Sequence, residues 1–382
     1  MKESATRRPV RVVVWGELFW PYIGGAEIFA SRLITALGQR DFEFAVITSH
    51  DSLDLPDEDV YAGAPVYRLP FRGPRARQRD IDAIMELRQR GAALVRRFAP
   101  DVIHLNGVSP NSFYCLGAAR AARVPVLARL NHALTATDPT VPPARTLQGQ
   151  VLLEATWITA VSDKVLDEAR RLLPDITPRS VRIYNGVQVP AETPVAPPAS
   201  PPRLLSVGRA VHLKGFDLAI AALPAIRARW PAVRLTIAGD GPEMEALRAQ
   251  AADLGVSAHV EFAGWVAPAE VPRLISEATL VLVPSREDAL PAVALQAAAL
   301  ARPVVATRAG GLPEIVVDGE TGALVGTDAG ELSTAVVSLL DHPGTMQRMG
   351  RAAWNRARTV FDDDRCMDAY AELYRRLAKA ER

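Results

Sequence analysis

The stretch Ala278–Gly319, ATLVLVPSREDALPAVALQAAALARPVVATRAGGLPEIVVDG, decides the fold. Apolar runs at Leu280–Val283 and Val304–Ala306 predict two buried strands. The Ala- and Leu-rich segment Ala292–Leu300 between them predicts a helix, with Pro291 in its first turn. Such a β–loop–α–β unit places a ligand beyond the carboxyl ends of parallel strands. The loop Ser285–Pro291 carries Glu287 and Asp288, and the helix carries Gln296. A second loop, Ala309–Gly311, sets two glycines ahead of another helix start, where free backbone N–H groups can hold an anion or sugar hydroxyls. The stretch therefore predicts a site for a phosphorylated, hydroxyl-rich ligand.

Working outward, the same alternation of apolar runs and helical stretches fills the chain. Runs at Val12–Trp15, Phe44–Thr48, Val66–Leu69, Val102–Leu105, Val126–Leu130, Ile158–Val161 and Val181–Tyr184 come first. The pattern restarts at Leu204–Val207, Leu235–Ala238 and Val260–Phe262 before it reaches the opening stretch. Between the two sets lies a proline-rich segment with Pro190, Pro194, Pro197, Pro198, Pro201 and Pro202, which reads as a stiff, extended connector. Two successive strand–helix series predict an α/β protein of two doubly wound domains, 1–190 and 203–362, joined by a linker at 191–202. The cleft between them is the expected active site. A helical pattern closes the chain, with Cys366, Tyr370, Leu373, Tyr374 and Leu377 at helical spacing.

Composition narrows the function classes. The 382 residues are 49% hydrophobic and 23% charged, with a formal net charge of +1, which argues against a nucleic-acid protein. No run approaches the roughly 18 apolar residues of a membrane span. The opening MKESATRRPV lacks the apolar core of a signal peptide, and Cys115 and Cys366 are isolated thiols without metal-ligand spacing. A cytoplasmic protein with reduced thiols is expected.

Four loops carry candidate chemistry. Gly24 and Gly25 lie between the first strand and a helix with Ile28, Leu33, Ile34 and Leu37 as its apolar positions. Paired glycines there serve either close approach of backbone to a ligand or a tight strand-to-helix turn. Leu130-Asn131-His132 ends a buried strand, although a lone histidine is more often structural than catalytic. In SVGRAVHLKGFD, residues 206–217, Gly208 ends a strand, Arg209 follows it, and Lys214-Gly215 opens the next helix. Two cations near a helix N-terminus suit a pyrophosphate; otherwise they are solvated charges flanking a turn. The fourth loop is the opening stretch, where Asp288 and Gln296 could hold sugar and ribose hydroxyls.

In this order and spacing the fragments resemble the retaining glycosyltransferases of family 4, with the two-domain GT-B fold. The resemblance covers essentially the whole chain. It rests on Gly24-Gly25-Ala26-Glu27, Tyr184-Asn185-Gly186-Val187, Val207-Gly208-Arg209 with Lys214-Gly215, Ala238-Gly239-Asp240-Gly241-Pro242, Pro284-Ser285 and Gly310-Gly311-Leu312-Pro313-Glu314. It implies two Rossmann-like domains facing a central cleft, with the helix at 363–382 packing back on the first. It implies transfer of a sugar from a UDP- or GDP-sugar to a saccharide, lipid-linked or small-molecule acceptor. Retained configuration, a front-face mechanism, no metal and no cofactor belong to the same expectation. Arg209 and Lys214 would bind the pyrophosphate and stabilise the charge that grows on it. Gly24, Gly25, Gly208 and Gly239 would lie against the donor, and His132 would contact a sugar hydroxyl. Trp265 and Val266 would sit near the base, and the N–H groups of Ala289 and Leu290 would bind donor sugar hydroxyls. Acceptor contacts would come from Ser49–Gly63, Ser109–Phe113 and Leu134–Gln148.

One departure bears on activity. Relatives usually carry two glutamates separated by seven residues, where this chain has Asp288 and Gln296. Asp288 is one methylene shorter, and Gln296 exchanges a charged hydrogen bond of roughly 1.5–3 kcal/mol for a neutral one of roughly 0.5–1.5. Weaker donor binding or altered donor choice follows; the alternative is an impaired or non-catalytic nucleotide-sugar binder. Finally, Arg72, Arg75, Arg77, Arg79, Arg88, Arg90, Arg96 and Arg97 surround a helix bearing Ile81, Ile84, Met85 and Leu94. The 72–97 stretch is either a peripheral contact with the inner face of a membrane or, diluted by Asp80, Asp82 and Glu86, a solvated face.

Overall fold

A computed structural model of the chain describes residues 8–50, 53–73, 75, 78, 80–134, 141–195 and 200–380. The chain divides into two compact units, residues 1–183 with 366–382, and residues 184–365.

The first unit is built on strands β1 (Val10–Trp15), β2 (Phe42–Ser49), β3 (Glu58–Tyr61), β4 (Ala64–Leu69), β5 (Val102–Asn106), β6 (Val126–Leu130), β7 (Trp157–Ala160) and β8 (Ser180–Arg182). They pair in the order β3-β4-β2-β1-β5-β6-β7-β8, parallel throughout except for β3 against β4. Continuous runs such as VRVVVW form β1 because helices cover both faces of a parallel sheet, leaving no side to face water. Phe29, Leu33 and Ile34 of the helix Gly25–Gly38 share one core with Met367, Tyr370 and Tyr374 of the closing helix Asp363–Ala380.

The second unit holds β9 (Arg203–Val207), β10 (Arg234–Ala238), β11 (Val260–Gly264), β12 (Leu280–Val283), β13 (Val304–Thr307) and β14 (Gly322–Val325), all parallel, in the order β11-β10-β9-β12-β13-β14. In each sheet the strand order reverses once, between β1 and β5 and between β9 and β12. Loops leaving the carboxyl ends of those strands flank an open crevice, the usual seat of a ligand in an open α/β sheet.

Three expectations change. The four-residue strands β3 and β14 escape the apolar-run criterion; β3, EDVY, is half-exposed and turns a segment expected to be acceptor loop into an edge hairpin. The proline-rich segment is not a free spacer over its described part. Trp354 Nε1 donates to Pro190 O at 3.2 Å and Arg302 Nη1 to Val195 O at 2.7 Å, so this segment lies within the second unit, whose boundary falls at 183/184. Residues 196–199 of the expected linker, 135–140 of an expected acceptor loop, and Arg77 and Arg79 lie outside the described residues.

Candidate functional site

The second unit brings its predicted residues together at its switch point. Lys214, at the end of the turn after β9, makes an ion pair with Asp288, in the loop after β12; their side chains are 30% and 12% exposed. A second pair that sequence reasoning missed staples the same two loops. Arg286 donates two hydrogen bonds to the Asp217 carboxylate, at 2.7 and 2.6 Å, while its Nη1 reaches His212 O at 2.9 Å and its backbone N–H reaches Leu213 O at 2.8 Å. Burial, the largest single influence, raises the Asp217 carboxyl pKa. The hydrogen bonds and charge of Arg286, with the backbone N–H of Asp217 itself and the nearby His212, together outweigh it and hold that pKa below the usual carboxylate range. Both residues stand in motifs already singled out, SVGRAVHLKGFD and PSRED. Only the pairing was out of reach. A narrow crevice lined by Val207, Lys214, Phe216, Pro284 and Asp288 opens beside the ion pair.

Backbone geometry fixes Asp288 further. Gly311 N–H donates to Asp288 O at 2.8 Å, and Gly310 has φ +54° with the same carbonyl oxygen 1.8 Å from where a Cβ would stand. The paired glycines thus admit and hold the Asp288 backbone. Gly311 N–H is bonded within the protein, and the helix that follows is the four-residue Leu312–Ile315. The amides of Ala289 and Leu290 make no hydrogen bond among the described residues and remain available to a ligand.

Arg209 is exposed next to Gly208. Gly239 N–H donates to Gly264 O at 2.7 Å, and a Cβ there would stand 1.8 Å from Gly208 O. It locks three strand-end loops together. Trp265 is 62% exposed and Val266 is half-buried. Gln296 lies half-buried on the helix Ala292–Ala299, with no hydrogen bond to Asp288.

In the first unit Gly24 caps the helix Gly25–Gly38 in an extended conformation, and the Glu27 carboxylate folds back over it, 2.3 Å from where a Gly24 Cβ would stand. Burial pushes the Glu27 carboxyl above its ordinary range, against the opposing pull of its own backbone N–H and of the Arg129 charge. Gly25 faces open space. His132 is exposed, and its Nδ1 lies 3.0 Å from Ala133 O. A carbonyl only accepts, so Nδ1 carries the proton and a neutral His132 offers Nε2 as acceptor. Beneath this loop Arg129, Asn106 and Asn131 form a buried polar cluster, signalled in the sequence only by an arginine inside the strand run VLARL.

A pocket of about 300 Å³ in the first unit, between β4 and the helix Ile81–Phe98, is lined by Asp57, Glu58, Tyr67, Arg90, Leu94 and Arg97 among others and holds none of the predicted site residues. In the basic stretch Arg72 is paired with Glu17 at 2.7 Å and Arg75 with Asp80 at 2.7 Å, while Ile81 and Met85 are 74% and 44% exposed. No helix among the described residues is long and apolar enough to cross a membrane.

This arrangement has a counterpart in known proteins. Residues 23–189 match the family described as Glycosyltransferase Family 4, and residues 201–342 match Glycosyl transferases group 1. The glycogen synthase of Mycobacterium tuberculosis is 33% identical over 298 residues, 75% of this chain and 71% of that protein. The chain belongs to glycosyltransferase family 4. The D-inositol 3-phosphate glycosyltransferase of Acidothermus cellulolyticus is 31% identical over 92% of this chain and 85% of its own length. Among solved structures, Anabaena Alr3699/HepE in complex with UDP-glucose superposes with a TM-score of 0.72 at 19% identity, covering 95% of this chain and 98% of that one. The fold is therefore GT-B, and the protein is a hexosyl-type glycosyltransferase that uses a nucleotide-sugar donor.

Proposed function

We propose that the protein is a retaining, metal-independent glycosyltransferase that transfers a hexose from a UDP- or GDP-sugar by a front-face mechanism. One observation carries this reading: Lys214 and Asp288 meet at the switch point of the second unit, on loops cross-linked by Arg286. Lys214 and Arg209 supply two positive charges where the pyrophosphate of a donor would lie. Charge that grows on the leaving phosphate as the glycosidic bond breaks is stabilised there, in a preorganised setting. Donor phosphate takes over the Lys214 ammonium, and the released Asp288 carboxylate accepts a hydroxyl of the donor sugar. Ala289 and Leu290 offer N–H groups to the other sugar hydroxyls, and Gln296 hydrogen-bonds the ribose diol. The leaving phosphate takes the proton of the acceptor hydroxyl as that hydroxyl attacks from the same face, so the anomeric configuration is kept.

The relatives named above are a glycogen synthase and a D-inositol 3-phosphate glycosyltransferase, so a saccharide or small hydroxylated acceptor suits this chain. A lipid-linked acceptor would draw on the exposed Ile81 and Met85 beside Arg88, tested by sedimentation with anionic liposomes at low and high salt. The activity is tested by screening UDP- and GDP-sugars for nucleotide release and reading the product's anomeric configuration by NMR. Release with one donor and a retained configuration are expected. No release with any donor, together with no thermal shift by UDP or GDP, refutes the reading.

A further inference from the structure

We propose that Arg129 is a positioning residue for the transfer step, holding in register the two loops through which the first unit would meet the donor. The inference rests on the function proposed above and on the family resemblance, which implies that Gly24, Gly25 and His132 lie against that donor. Arg129 sits near the end of β6 with its side chain 1% exposed. Its Nη1 donates to Asn106 Oδ1 at 3.2 Å and to Asn131 Oδ1, its Nε donates to Tyr370 OH at 3.2 Å, and its guanidinium lies 3.7 Å from the centre of the Phe29 ring. Asn106, at the end of β5, passes the contact on: its Nδ2 donates to Ala26 O at 2.9 Å, in the first turn of the helix Gly25–Gly38. Asn131 directly precedes His132, and its amide nitrogen fills the space beside Gly107, 2.9 Å from where a Cβ would stand.

One buried cation thereby ties together the loop after β6, the loop after β5, the helix that begins at Gly25 and the closing helix. Stability alone gives a weak reason to keep a charge there, because apolar side chains of similar volume commonly fill such sites at no loss. What an apolar side chain cannot supply is direction. A planar fork of donors fixes two amide side chains at set angles, and those amides fix Ala26 and His132. The network also keeps one protonation state: burial pushes the neighbouring His104 down to about 3, with the Arg129 charge adding to it, and burial raises Tyr370.

The test compares wild type, Arg129→Met, Arg129→Lys and Asn131→Ala in the full chain, using the donor that the wild type turns over. UDP affinity, kcat and donor KM are measured beside the melting temperature. UDP affinity should stay near the wild-type value in every variant, because Lys214 and Arg209 belong to the other unit. In Arg129→Met, kcat should fall by about tenfold or more, as expected for a displacement of the order of an ångström. Arg129→Lys should recover part of the loss, and Asn131→Ala should lose kcat without losing fold. A folded Arg129→Met with wild-type kcat overturns the proposal. If Arg129→Met does not fold, wild-type kcat in Asn131→Ala overturns it instead. A wild type that neither binds UDP or GDP nor releases nucleotide overturns the functional reading, and this inference with it.

Discussion

Replacing Gly310 by alanine should disable the donor loop through backbone alone. The new Cβ would stand 1.8 Å from Asp288 O and must withdraw to at least 3.0 Å, so the two loops have to part by about 1.2 Å. The oxygen is main chain, so no side chain can swing away to absorb the shift. A displacement of about 1 Å in a catalytic group can cost on the order of a hundredfold in rate. Stability should fall as well. The left-handed conformation, φ +54°, costs an L-residue about 1–2 kcal/mol, and the Gly311 hydrogen bond to the same carbonyl is worth about 1 kcal/mol more. A domain of this size then melts lower by roughly 4–12 °C. Two other alanines separate the causes. Gly319 has φ +75° with nothing near its Cβ position, so Gly319→Ala carries backbone strain without collision; Gly344→Ala carries neither. The assay is kcat/KM for nucleotide release, read beside the melting temperature. If Gly310→Ala loses no more activity than Gly319→Ala, the position of Asp288 does not govern turnover and the account of this loop is wrong.

Asp288→Asn should tighten UDP binding while slowing transfer, because it frees Lys214 from a competing carboxylate and removes the sugar contact; calorimetry that finds weaker UDP binding would contradict the competition. Gln296→Glu should restore a charged hydrogen bond to the ribose, a gain of about 1 kcal/mol or roughly fivefold in donor affinity, with kcat little changed. Glu27→Gln should raise the melting temperature at neutral pH. Burial lifts the folded pKa of Glu27, so ionising it costs stability in full above that raised value and nothing below about pH 4, and the advantage of glutamine should vanish on acidification to that point. An advantage that grows as pH falls would reverse the sign of the argument.

What the sequence revealed and what it hid follow from distance along the chain. Parallel strands buried on both faces read as unbroken apolar runs, which is why β1, β5, β9 and β12 were legible from VVVW, VIHL, LLSV and LVLV. The edge strand β3 opens with two acids, Glu58 and Asp59, and lies half-exposed, so the same criterion passes over it. The proline-rich segment reads as a stiff spacer because proline fixes its own backbone angles. Yet proline's carbonyl still accepts, and whether Trp354 comes to meet Pro190 depends on tertiary structure alone. Arg286 and Asp217 are 69 residues apart, and Arg129 and Tyr370 are 241 apart. No local pattern records such a partner.

The same separation changes the meaning of the substitution at position 288. Taken along the chain, Lys214 is a cation for phosphate and Asp288 a shortened carboxylate for sugar, two independent roles 74 residues apart. The fold makes them one ion pair, largely withdrawn from water on the Asp288 side. A carboxylate that partners the phosphate-binding cation has two tasks in turn: it holds Lys214 in place while no donor is bound, and it yields to phosphate when one arrives. Shortening it by a methylene therefore acts on the ground state as well as on the sugar contact. Because each residue sets the charge the other experiences, the effects of removing Lys214 and Asp288 should not add, and neither residue has a separable share of the rate.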